Sequence, residues 1–173
     1  MKKILVIGLG SPIITDDGVG LKVACEVEKA LASERREDIT VTEASAGGVR
    51  LMEAMIGYDR VILIDAFMQR KDNNPGTVHK MTLDDLRDIS PTQHSACAHD
   101  TTLVTALDAG RRMGLHLPKN ITIFAIEVEN ISEFGEESTP AVAAAIPEVT
   151  AMVLGELEIS RSGIRNQESV DQD

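Results

Sequence analysis

The stretch MKKILVIGLGSPIITDDGVG, residues 1–20, decides how the chain is read. Its first part, KKILVIG, is a continuous β-branched and aliphatic run, the pattern of a parallel strand buried on both faces. Gly8 and Gly10 follow as turn-formers. From Asp16 the pattern becomes helical, with Val19, Val23, Ala24, Val27 and Leu31 at three- and four-residue spacing. Strand, glycine turn and helix in that order suggest a phosphate-binding turn. A dinucleotide fingerprint, however, needs a third glycine three residues after the second, where this chain has Ile13. The Gly-Lys-Ser/Thr of a Walker loop is absent, and Asp16 and Asp17 would repel a pyrophosphate. The plain reading makes Asp16 a cap of the first helical turn. Two consecutive carboxylates cannot both be good caps, so Asp17 is the stronger candidate for chemistry.

The pattern repeats downstream. DITVTEA reads as a second strand, and SAGGVRLMEAMIGY as a loop opening a short helix. DRVILIDAF is the cleanest buried strand. An Asn-Pro-Gly turn then leads to GTVHKMTL, which alternates like an edge or antiparallel strand. DDLRDISPTQHSACAH reads as irregular, and a helix begins at Asp100 with Leu103, Val104, Leu107 and Met113 on one face. NITIFAIEV is the last strand, and STPAVAAAIPEVTAMVLGELE a closing helix with a possible kink point at Pro147. The expected fold is α/β: a single domain over 1–159, with a twisted, mostly parallel sheet of about five strands flanked by helices on both faces. Residues 160–173 are polar and aperiodic and read as a disordered tail.

Composition narrows the function. The chain has 173 residues, 43% hydrophobic, 2% aromatic and no Trp, with a net charge of −11. That acidity opposes phosphate-backbone binding, and so few aromatics give no stacking platform, so no nucleic-acid partner is expected. Cys25 and Cys97 are far apart, with no disulfide or zinc spacing; Cys25 reads as a core residue and Cys97 as a free thiol. The first apolar run is short and glycine-broken, a strand and not a signal peptide. No apolar stretch approaches membrane-spanning length. A cytoplasmic protein without a membrane partner is the expectation. The same composition gives no positive reason for an obligate interface, so a monomer is expected.

Asp65 directly follows RVILI, at the carboxyl end of a buried strand, where open α/β sheets place their ligand crevice. The first strand ends there too, so Asp17 and Asp65 should approach each other. Converging carboxylates call for a proton or a cation between them. Of the histidines, His79 reads as surface and His116 as following a helix C-terminus. His94 and His99 flank Cys97, and only His99 immediately precedes an amphipathic helix. Two carboxylates and an imidazole make an N/O set suited to nickel, zinc or manganese with positions left open. Neither a His-Glu-x-x-His helix nor a serine nucleophile elbow is present.

ILVIGLGSPIITDDGVG, RVILIDAF and AHDTTLVTALDAG, in this order, resemble the hydrogenase maturation proteases over roughly residues 3–157. The resemblance implies a twisted sheet flanked by helices. It further implies a metal-binding and catalytic cleft formed by Asp17, Asp65 and His99. The implied activity is removal of a C-terminal extension from the large-subunit precursor of a nickel–iron hydrogenase. Nickel would be recognised as the substrate's own cargo, with no organic cofactor. Gly47 and Gly48 match a glycine loop of the family that shapes the peptide cleft, or simply open a helix. Asp17 is one methylene shorter than the Glu of some members, and Ser11 stands where many have Asn, so a bracing hydrogen bond there must differ. Two rivals remain: a non-catalytic metal-sensing or chaperone module for the same precursor, and a nucleotide-binding α/β domain.

Overall fold

The structure is a computed structural model that describes residues 2–32, 34, 36–68, 71–88 and 100–167. Strand β1 (Ile4–Leu9) is buried along its whole length. It pairs in parallel with β2 (Ile39–Ala44) on one side and β3 (Arg60–Phe67) on the other. Strand β5 (Asn120–Glu127) continues the sheet parallel to β3, and β4 (Val78–Thr82) closes the edge antiparallel to β5. The strand order is β2-β1-β3-β5-β4. The chain leaves β1 toward β2 and returns across it to β3, so the order reverses between β1 and β3. Open α/β sheets place their ligand crevice at such a reversal, at the carboxyl ends of the two strands.

Helices cover both faces, as the buried runs require. On one face α1 (Val19–Leu31) and α5 (Pro140–Gln167) pack on Ile4, Val6, Ile62, Ile64, Phe124 and Ile126. On the other, α2 (Gly48–Ala54), α3 (Leu83–Asp88) and α4 (Asp100–Arg112) cover Leu5, Ile7, Val61, Leu63, Ile121 and Ile123. The side chains of each strand thus divide by alternation between the two cores.

Four local expectations are corrected. Helix α3 occupies the first part of the segment read as irregular. Its signal is a capping box: Asp85 Oδ2 accepts from the Thr82 N–H at 2.6 Å and from its hydroxyl at 2.7 Å, and the Asp85 N–H returns to Thr82 Oγ1 at 3.3 Å. Met113 lies just past α4 and is exposed, while Ala106 is buried beside Leu103 and Leu107. Cys25 is half-buried and lines a groove between α1 and α5. Over Pro140–Leu157 α5 is long and apolar enough to cross a membrane by length and composition, with a mean hydropathy of 1.4 over 18 residues. In the fold that stretch buries Val142, Ala145, Val149, Val153 and Leu157 on the core, 28% of the window. The helix is continuous through Pro147.

Candidate active site

The loop from Gly10 to Gly18 leaves β1 and returns as α1. Gly10 has φ +138°, and a Cβ there would lie 1.9 Å from the carbonyl oxygen of Asp17, so the turn folds tightly back on the aspartates. Gly20 performs a second close approach. A Cβ on it would meet the carbonyl oxygens of both Leu9 and Ile64 at 2.4 Å. The first turn of α1 therefore rests directly on the ends of β1 and β3, above the strand-order reversal.

The two adjacent aspartates do different work, and neither caps α1. That helix starts at Val19 after Gly18, with no side-chain cap. Asp16 is fully buried. Its Oδ1 accepts the Thr139 N–H at 2.7 Å, and its Oδ2 accepts the Thr139 hydroxyl and the Asn130 N–H at 3.0 Å and the Glu129 N–H at 3.3 Å. It ties the β1–α1 loop to the β5–α5 loop. Asp17 is half-buried, and its Oδ2 accepts the Ser11 N–H at 2.7 Å. The brace comes from the backbone, which explains how serine can stand at this position. The second carboxylate oxygen of Asp17 accepts no hydrogen bond among the described residues.

Asp65 lies in β3 one residue beyond Ile64, whose carbonyl Gly20 touches. It is buried, 5% exposed, and Oδ1 accepts its neighbour's Ala66 N–H at 2.9 Å. Asp17, three residues before Gly20, and Asp65, one residue after Ile64, thus both lie close in the chain to the point where α1 rests on the ends of β1 and β3. His99 lies outside the described residues, as do His94 and Cys97; in the chain His99 directly precedes α4, which packs on the face that carries Asp65. Among the described residues no three His, Cys, Asp or Glu side chains form a group able to hold a metal. Of the three residues expected to form the site, Asp17 and Asp65 fall within the described residues.

His79 is not simply a surface residue. Its Nε2 lies 2.5 Å from Oε1 of Glu127, and its ring meets Phe67 edge-on at 5.9 Å. Glu127 is 3% exposed, and its Oε2 accepts the Asn74 N–H at 2.6 Å. Asp65, Ala125 and His79 occupy one row across β3, β5 and β4, so this pair stands on the same face as Asp65. The sequence held a signal for it: Glu127 directly follows the apolar run of a buried strand, as Asp65 does. His116 sits at the opposite end of the sheet, 3.3 Å from Asp59. The Lys3 N–H, and then His116, hold the Asp59 carboxyl below its ordinary range.

The family model described as hydrogenase maturation protease matches residues 21–156, a span that includes Asp65 and His99 and begins just past Asp17. The chain belongs to this family. It is 28% identical over 158 residues to the hydrogenase 2 maturation protease of Escherichia coli, covering 91% of this chain and 92% of that one. Among solved structures it resembles the hydrogenase maturating endopeptidase HybD of E. coli, with a TM-score of 0.75 and 26% identity over 91% of this chain and 93% of that one. The nickel–iron hydrogenase maturation protease HybD of Thermococcus kodakarensis shares the fold, with a TM-score of 0.64 at 22% identity over 88% of this chain and 97% of that one. As a member of this family, the protein is a peptidase of hydrogenase maturation.

Proposed function

We propose that this maturation protease removes a C-terminal extension from the large-subunit precursor of a nickel–iron hydrogenase after nickel has been inserted. Nickel is then part of the substrate, recognised through Asp17, Asp65 and His99. The observation that supports this reading is the close approach of Gly20 to Leu9 and Ile64, which brings the segment after Asp17 to the strand ends beside Asp65. Asp17 has one oxygen fixed by the Ser11 N–H and the other unengaged among the described residues, and Asp65 is buried in β3 next to Ile64. Two oxygen donors together with the imidazole of His99 would suit a borderline divalent metal and leave positions for the metal's existing ligands.

Hydrolysis adds water to the scissile carbonyl carbon, breaks the C–N bond and delivers a proton to the departing nitrogen. Asp17 or Asp65 is the base that takes the water proton. A buried carboxylate such as Asp65 is well placed for this, because exclusion of water strengthens its interaction with the reacting groups. The same reading has the protein act as a monomer in the cytoplasm.

The test is incubation with nickel-loaded and nickel-free precursor, followed by intact mass. Loss of a C-terminal peptide from the nickel-loaded form alone supports the proposal. Binding of the precursor without cleavage under any metal condition would make the protein a chaperone instead.

A further inference from the structure

Phe134 is 84% exposed, in a chain with three Phe, one Tyr and no Trp. It lies in the β5–α5 connection, at the carboxyl end of the sheet beside the loop of Asp17. The connection is firmly held. Ile14 and Phe134 form an antiparallel bridge, flanked by bonds from the Thr15 N–H to Glu133 O at 3.1 Å and from the Gly135 N–H to Ile13 O at 3.0 Å. Asn130 Oδ1 accepts the N–H groups of Ser132 and Glu133, and the buried Asp16 carboxylate anchors both ends of the connection. In such a bridge Ile14 and Phe134 share one side, and Ile13, 56% exposed, stands on the other. The result is a two-stranded lip pinned by backbone bonds, with exposed apolar side chains on both sides, next to the loop of Asp17.

We infer that this lip is the docking element for the folded body of the precursor, inserting Phe134 into an apolar hollow bordered by Lys or Arg. The inference rests on the reading that such a precursor is the substrate. A projecting knob fits a concave surface, whereas an extended peptide needs a groove. A pre-ordered aromatic anchor loses little side-chain freedom on binding, which is the character of an interface hot spot. Charge decides the kind of partner. Residues 8–20 and 128–139 carry Asp16, Asp17, Glu129, Glu133, Glu136 and Glu137 and no Lys or Arg. Two copies of this lip would repel each other, and a nucleic acid would be repelled as well, so the complementary surface is basic.

The experiment measures affinity for nickel-loaded precursor in the Asp65→Asn background, where nothing is cut. Phe134→Ser should weaken binding by about tenfold or more, and Phe134→Leu should restore most of it. Rising salt should weaken binding of the Phe134 protein, and melting temperature should not move, because the side chain is exposed. Equal affinity of the Ser and Phe forms would overturn the inference. So would the same loss measured with the isolated extension peptide, or a dimer of this protein that Phe134→Ser dissolves. Failure of the Asp65 protein to cut nickel-loaded precursor would instead sink the proposed activity, while the affinity comparison would still decide the lip.

Discussion

Asp16 holds Thr139 by both of its donors, the N–H at 2.7 Å and the hydroxyl at 3.0 Å, across a sequence separation of 123 residues. Its neighbour Asp17 reaches no further than the Ser11 N–H of its own loop. One carboxylate ties two distant loops together, and the next is half-buried and held only within its own loop among the described residues.

This division predicts opposite consequences for the same substitution. Asp16→Ala leaves three backbone N–H groups and a hydroxyl without their acceptor in a buried place. It should cost about 3 kcal/mol and lower the melting temperature by roughly 6–12 °C. Asp17→Ala removes a single brace at a half-exposed site. It should leave melting within about 2–4 °C of the parent and abolish processing. Calorimetry alongside a cleavage assay checks both halves, and equal melting of the two variants would refute the division.

Gly20 sets the height of α1 above the strands. A methyl group there would meet backbone oxygens, which cannot rotate away, at 2.4 Å. Gly20→Ala should destabilise by about 1–3 kcal/mol and slow processing beyond what the lost stability explains, by lifting Asp17 from Asp65. Denaturant unfolding and turnover on the same sample separate the two effects.

Glu127 is a buried acceptor for His79 and the Asn74 N–H. Replacing it with Leu strips both donors and frees the loop before β4, at a cost of about 1–3 kcal/mol. Faster amide exchange at Asn74 is the local signature; unchanged exchange would mean that the carboxylate does not hold this loop.

Glu156 of α5 joins Arg60 of β3 and Lys80 of β4. Burial by itself would raise its carboxyl, but the Lys80 and Arg60 contacts together outweigh that and hold it below the ordinary range. A carboxyl lowered in the folded state adds stability above its unfolded value, about pH 4.3. That stability is lost as pH falls through the lower folded value. Acid unfolding below about pH 4.3 should therefore be less steep in Glu156→Gln than in the parent. Parallel curves would exclude this contribution.

The centre of the sheet could be read from sequence because β1, β3 and β5 hold continuous apolar runs, and Asp65 stood out because it directly follows the run of β3. Asp17 was singled out because one helix start cannot use two caps, although neither aspartate caps α1. The role of Asp16 was not legible, because its partners lie 113 to 123 residues away and only the folded chain brings them near. Helix α3 is short and its box begins inside a strand, so periodicity gave no sign of it. Alternation put His79 on an edge strand correctly, but not the buried Glu127 beside it. His99 was placed by the amphipathic helix that follows it and by family resemblance, and lies outside the described residues.

The most direct measurement is the intact mass of nickel-loaded precursor after incubation with the parent protein, with Asp65→Asn and with His99→Ala, each variant first shown to be folded. The account predicts a lost C-terminal peptide with the parent and an unchanged mass with either variant. Cleavage by either variant at the parent's rate would contradict it.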